Sequence, residues 1–160
     1  FTIGKVYNRR KDLHKVYGGC SQSGIAPCAK HPIVFIFTSP TGKKHGYRDR
    51  WLSETVFQYT GEGQYGDMEL VRGNRAIVNH VKDGRQLHLF EDVGHGDYRY
   101  LGEMAYLDHE VVRGEDTDKN SRNMIDLGYN GFIQSSNIYN TSSKIGLRFT
   151  ISPVINDITR

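Results

Sequence analysis

With 160 residues, 37% of them hydrophobic and 24% charged, the chain has the size and composition of one globular domain with a core of its own. Its longest apolar run, Ile33-Val34-Phe35-Ile36-Phe37, is too short for a bilayer span, and Phe1 to Lys5 lack the apolar segment and cleavage site of a signal peptide. A cytoplasmic protein without membrane contact is expected. The net charge of +3 is mild, but basic residues crowd two segments: Lys5, Arg9, Arg10, Lys11 and Lys15, then Lys43, Lys44, Arg48 and Arg50. Acidic residues gather later, at Glu91, Asp92 and Asp97 and from Asp108 to Asp118. One part of the chain can therefore offer a positive face to phosphates.

In chain order, Asn8 is a plausible N-cap for a short helix from Arg9 to about Val16, closed by Gly18-Gly19, with Leu13 and Val16 facing the core. That leaves Arg9, Arg10 and His14 at the surface. Residues 18 to 32 have no period and read as a loop. Cys20 and Cys28 lie in it with only His31 nearby, too few ligands for a structural zinc site and too few cysteines for a disulfide framework. Ile33 to Thr38 reads as a buried strand, Ser39-Pro40-Thr41-Gly42 as a turn, and Tyr47 to Trp51 and Thr55 to Tyr59 as further strands before a glycine-punctuated loop, Gly61 to Gly66.

Asn74 is read as the cap of a helix with Ala76, Ile77 and Val81 on one face and Gly84 at its end. Gln86 to Phe90 and Tyr98 to Leu107 alternate as half-buried strands, joined by Gly94-His95-Gly96-Asp97 as a hairpin turn. From Val111 to about Ser143 the chain is polar, and residues 114–143 are expected to form a loop excursion. A strand pattern returns from Gly146 to Ile151. Many short strands with two helices suggest a small, twisted, barrel-like α+β domain.

Several motifs are excluded by context. His109-Glu110 has no second histidine at metalloprotease spacing, and the seven histidines fall in different elements, so no HNH nuclease centre is visible. Gly61-Glu62-Gly63-Gln64-Tyr65-Gly66 fits Gly-x-Gly-x-x-Gly but precedes Asp67-Met68-Glu69, which would repel a pyrophosphate. No metal, cofactor or catalytic residue is expected. The segment Gly46 to Gln64 is more suggestive: Tyr47 and Tyr59 stand at the ends of an out-and-back strand pair, with Asp49 beside the first. Two aromatic planes can sandwich a base, each worth about 1–3 kcal/mol. A carboxylate accepts from the exocyclic amine of cytosine. On chemistry alone, ordinary sheet tyrosines and a turn aspartate explain these residues at least as well.

An ordered set of motifs adds to this reading. Gly46-Tyr47-Arg48-Asp49, Tyr59-Thr60-Gly61-Glu62-Gly63-Gln64, Gly66-Asp67-Met68 and Gly73-Asn74 resemble the SRA (SET- and RING-associated) pattern. The likeness is to SRA-like domains of McrA-type, HNH-containing, modification-dependent restriction endonucleases. Tyr7-Asn8-Arg9-Arg10 with His14, Gln22-Ser23-Gly24-Ile25, Leu87-His88-Leu89-Phe90, Tyr98-Arg99-Tyr100-Leu101-Gly102-Glu103 and Arg148-Phe149 extend it over nearly the whole chain. The resemblance implies one PUA-like domain over residues 1–160, a curved β-barrel flanked by short helices. It implies binding of duplex DNA whose 5-methylcytosine or 5-hydroxymethylcytosine is flipped into a pocket.

Carried over by residue, Tyr47 and Tyr59 stack on the base, Asp49 reads its edge, and Thr60, Gly61 and Glu62 line the pocket. Ser21, Gln22, Ser23 and Gly24 belong to the loop that probes the gap. Arg9, Arg10, His14, Lys43, Lys44 and Arg48 meet the DNA. Eukaryotic readers carry the acidic residue one position further on, where this chain has Arg50, so the assignment to Asp49 takes a local shift. Two other readings stay open: a PUA-like RNA-binding module, and the targeting part of an HNH endonuclease that could dimerise through a catalytic domain outside this chain.

Overall fold

The computed structural model describes residues 1–39 and 47–131. The predicted turn at residues 39–42, Lys43, Lys44 and the predicted strand at 146–151 therefore lie wholly or mostly outside the described residues. In chain order the elements are β1 (Val6–Asn8), a π-helical turn (Arg9–His14) running into α1 (Lys15–Tyr17), β2 (Ile25–Pro27), β3 (Ile33–Thr38), β4 (Arg50–Trp51) and β5 (Val56–Thr60). Then come α2 (Arg72–Val78), β6 (Gln86–Gly94), β7 (Asp97–Glu115) and β8 (Ser121–Gly131). The strands form one sheet in the order β2-β3-β6-β7-β8-β5-β4, with β1 paired to β7. Among the described residues this is an open path from β2 to β4, without the closing pair that a barrel requires. The α+β character is as expected.

All six residues of β3 are buried because both of its faces are covered. Ile33, Phe35 and Phe37 join Leu13, Ala26, Phe90 and Tyr100 beneath the N-terminal turn. Val34 and Ile36 join Leu87, Leu89, Ile77, Tyr59 and Leu127 on the other side. The continuous apolar run follows from this, and the neighbouring strand is parallel: Ile33 to Thr38 run beside Gln86 to Glu91. A parallel pair needs a long crossover, and residues 39–85 supply it with β4, β5 and α2. The same double coverage leaves Leu87 to Phe90 buried throughout, where alternation had suggested a half-exposed strand.

The β6–β7 hairpin turns on His95 and Gly96 with φ of 57° and 81°, the left-handed pair of a tight two-residue turn. At the N-terminus, Asn8 caps as expected, its side chain accepting from Lys11 N, and Leu13 is fully buried. Val16, expected in the core, is exposed, and Tyr17 packs there instead. The wider π-helical winding before it shifts the inward face by about a residue.

Helix α2 also departs from expectation. It begins at Arg72, so Asn74 is an interior, buried residue rather than the cap, and the helix ends at Val78, which leaves Val81 exposed. The polar excursion expected over 114–143 is a strand from Ser121 to Gly131, antiparallel to β7 in the register Val112↔Met124 and Glu110↔Asp126. Asp116 closes the turn between them, its Oδ1 accepting from the N–H groups of Asp118 (2.9 Å) and Asn120 (2.8 Å). The strand was hidden because its inward positions include Arg122 and Asp126, which break the apolar alternation that marks a strand. Residues 132–143 lie outside the described residues.

Candidate nucleic-acid interface

The expected strand at Tyr47 to Trp51 is reduced to Arg50–Trp51, paired with Gln58 and Phe57. Side chains replace the ladder over the preceding residues. Thr60 N–H donates to Asp49 Oδ1 at 2.9 Å, and Arg48 N–H donates to Thr60 Oγ1 at 2.9 Å. Thr38 Oγ1 donates to Asp49 Oδ2 at 2.8 Å. Thr60 Oγ1 in turn donates to Asp126 Oδ1 at 3.3 Å, and Gln58 Nε2 donates to Asp126 Oδ2 at 2.6 Å. Thr60 thus stands between two carboxylates. Burial pushes the Asp49 carboxyl up to about 6, against the Thr60 and Thr38 hydrogen bonds, and Asp126 adds to the rise. Burial raises Asp126 as well.

Both tyrosines lie at this group. Tyr59 is buried and its hydroxyl donates to the Phe37 carbonyl at 3.3 Å. Tyr47 is half-buried, packs against the cluster that contains Tyr59, and donates to the Gly63 carbonyl at 3.4 Å. Burial raises both phenols, and Asp49 adds to the rise in each.

Glu62 organises the rim. Its Oε1 accepts from Gly73 N–H at 2.9 Å and its Oε2 from Ser23 Oγ at 3.1 Å. Gly73 N–H is one of the donors that a helix start leaves unpaired, and Val71 at the N-cap has no side-chain acceptor, so Glu62 caps α2 from outside. Asn74 is thereby released to clamp the loop. Its Oδ1 accepts from Glu62 N–H at 2.8 Å, and its Nδ2 donates to the carbonyls of Glu62 (3.0 Å) and Glu69 (2.9 Å). Gly61 is buried against Asn74: a Cβ there would lie 2.9 Å from Asn74 Oδ1.

The loop Ser21 to Gly24 is joined to the same group. Gly24 has no room for a side chain, because a Cβ would sit 2.6 Å from the Tyr59 hydroxyl. Gln22 is exposed and Ser21 half-buried. Arg9, read from the sequence as a phosphate contact, turns its guanidinium inward. It lies 3.7 Å over the Phe37 ring and donates to the Ser23 carbonyl, to His14 Nε2 (3.1 Å) and to Tyr98 Oη (3.4 Å). His14 is half-buried, with Nδ1 on the Gly18 carbonyl at 2.9 Å, and burial keeps its pKa below the usual histidine value. Arg10 and Arg48 are exposed, and Lys43 and Lys44 lie outside the described residues.

Three contributors were not legible in the sequence: Thr38, Asp126 and Arg122. Arg122 is 1% exposed; its Nη1 donates to the carbonyls of Gly63 (2.8 Å) and Gly66 (3.3 Å), while Nε and Nη2 are buried without a partner. Its only signal was an arginine in a polar stretch. Among the described residues no group of three His, Cys, Asp or Glu could hold a metal ion, and no helix is long and apolar enough to cross a membrane.

In fold the chain is similar to SRA domains in complex with modified DNA. It matches the structure of the sulfur-binding and SRA domains of ScoMcrA with phosphorothioated DNA at a TM-score of 0.65 and 23% identity, covering 82% of this chain and 40% of that one. A second match, to the phosphorothioation-dependent restriction endonuclease ScoMcrA, has the same score and identity and covers 82% of this chain and 28% of that one. The SRA domain of SUVH5 with methylated CHH DNA matches at 0.62 and 20% identity, over 86% of this chain and 92% of that one. Comparison with curated protein sequences gives no match. The family model of the ScoMcrA-like SRA domain matches residues 3–128, and the chain belongs to that family.

Proposed function

We propose that this chain binds duplex DNA containing a modified cytosine and receives the extruded base between Tyr47 and Tyr59. The observation that carries this reading is Asp49, a half-buried carboxyl held by Thr38 and Thr60 beside the two tyrosines. A carboxyl there can accept from the cytosine amine, and in its neutral form it can also donate to the ring nitrogen. Thr60 and Gly61 line the cup, Glu62 fixes its rim, and the loop from Ser21 to Gly24 fills the gap left in the duplex. Unstacking costs a few kcal/mol, which stacking on the tyrosines and contacts to phosphates offset.

The solved relatives in complex with phosphorothioated and methylated DNA support this reading. The chain spans only 40% and 28% of the ScoMcrA chains it matches, and we place it as the targeting part of a restriction system whose cleavage chemistry lies elsewhere. The test is a binding panel on one duplex carrying cytosine, 5-methylcytosine or 5-hydroxymethylcytosine, with an unmodified-base phosphorothioate duplex as a further arm. Preference for a modified base, abolished by Asp49→Ala, is expected. Equal affinity across the panel would overturn the reading.

A further inference from the structure

The far end of the β7–β8 hairpin carries a charge that the base site leaves unused. Arg113 lies opposite Asn123, donating from Nη1 to Asn123 Oδ1 at 3.0 Å and from Nη2 to Ser121 Oγ at 2.8 Å. Both acceptors are neutral, so the guanidinium is oriented while its charge stays uncancelled, and three of its five N–H groups are not used by these two bonds. Arg113, Gly114, Glu115 and Arg48 line one open depression of about 450 Å³. Arg48 stands between Tyr47 and Asp49 and is anchored by its own N–H on Thr60 Oγ1, so the depression begins at the rim of the base site. Its acidic member, Glu115, is offset by Lys119 at 3.6 Å.

We propose that Arg48 and Arg113 form a clasp for a backbone phosphate next to the flipped nucleotide, which makes the β7–β8 hairpin a DNA-contacting arm. The proposal rests on the modified-cytosine reading, because extrusion brings the flanking backbone to the mouth of the pocket. Guanidinium groups match phosphate oxygens in a forked, charge-assisted geometry. An open depression suits a phosphodiester, whose chain must enter and leave, better than an enclosed small anion. Arg113 owes its place to cross-strand neighbours rather than to a carboxylate, so phosphate does not have to displace an internal ion pair.

The test is fluorescence anisotropy on modified and unmodified duplexes across a salt series, with wild type, Arg48→Gln, Arg113→Gln and Arg113→Lys. Each glutamine substitution should reduce the slope of log affinity against log salt by about one, weaken both duplexes alike and leave their ratio intact. Arg113→Lys keeps the charge and should keep the slope, which separates phosphate contact from hairpin packing. A wild-type slope in Arg113→Gln, or a slope lost equally in the lysine variant, would overturn the clasp. Equal wild-type affinity for modified and unmodified duplexes, with the slope still falling in Arg113→Gln, would overturn the base-pocket reading and the place of the clasp beside a flipped nucleotide, leaving Arg113 as a phosphate contact on unflipped duplex.

Discussion

Thr60 holds Asp49 with its backbone and Asp126 with its side chain: its N–H donates to Asp49 Oδ1 at 2.9 Å and its hydroxyl to Asp126 Oδ1 at 3.3 Å. One residue therefore links a half-buried acid, Asp49, to a buried one, Asp126, and their protonation is coupled through it.

The pH dependence follows from Asp49, whose carboxyl lies at about 6 in the fold against 3.8 as its ordinary value. Between those values the folded chain binds the extra proton, so this group makes stability rise as pH falls through 6 and adds nothing further below 3.8. His88, pushed down to about 4 by burial, works in the opposite sense, costing stability as pH falls from 6.5. The difference between wild type and Asp49→Asn isolates the first effect. Thermal melts from pH 7 to 4 should show the wild type gaining on the variant. Parallel curves would exclude an elevated Asp49.

Gly24→Ala tests the contact between the loop Ser21 to Gly24 and Tyr59. Its Cβ would meet the Tyr59 hydroxyl at 2.6 Å, and that ring is buried and cannot swing away. A loss of about 1–3 kcal/mol in stability is expected by chemical denaturation, as for other overpacked sites. Binding to modified duplex should fall more than binding to unmodified duplex.

Arg9→Lys discriminates an internal pin from a phosphate contact. The guanidinium is committed to Phe37, Ser23, His14 and Tyr98. Lysine keeps the charge but not the fork. The salt slope should be unchanged while discrimination of the modified base weakens. A proportional loss on every duplex, without loss of discrimination, would return Arg9 to the phosphate contacts.

Arg122→Met should separate folding from recognition. The substitution removes a buried charge with two unpaired nitrogens, so stability should change by no more than about 2 kcal/mol in either direction. The carbonyls of Gly63 and Gly66 lose their donor, and the loop that carries Glu62 loosens. Calorimetry with a binding titration checks both parts, and a full loss of folding would make Arg122 indispensable to the core.

Local chemistry was legible where it is set within a few residues. The strand Ile33 to Thr38, the cap on Asn8 and the His95-Gly96 turn follow from side-chain periodicity, a capping amide and a left-handed turn pair. The ordered tyrosine, aspartate and glycine motifs likewise carried the family. Roles that depend on a distant partner were not legible. Asn74 looked like a helix cap until Glu62, from a separate loop, took the free N–H of Gly73. Arg9 reads in the sequence as a surface cation; only the fold shows its guanidinium lying over the Phe37 ring. The strand holding Arg122 and Asp126 read as loop because the sheet turns two charged residues inward, and only tertiary packing supplies the acceptors and donors that let them stay there. The sequence by itself put Tyr47, Asp49, Tyr59 and Thr60 within one short segment; only the tertiary packing brought Thr38 to Asp49 and Asp126 to Thr60, because those hydrogen bonds join residues 11 and 66 positions apart in the chain.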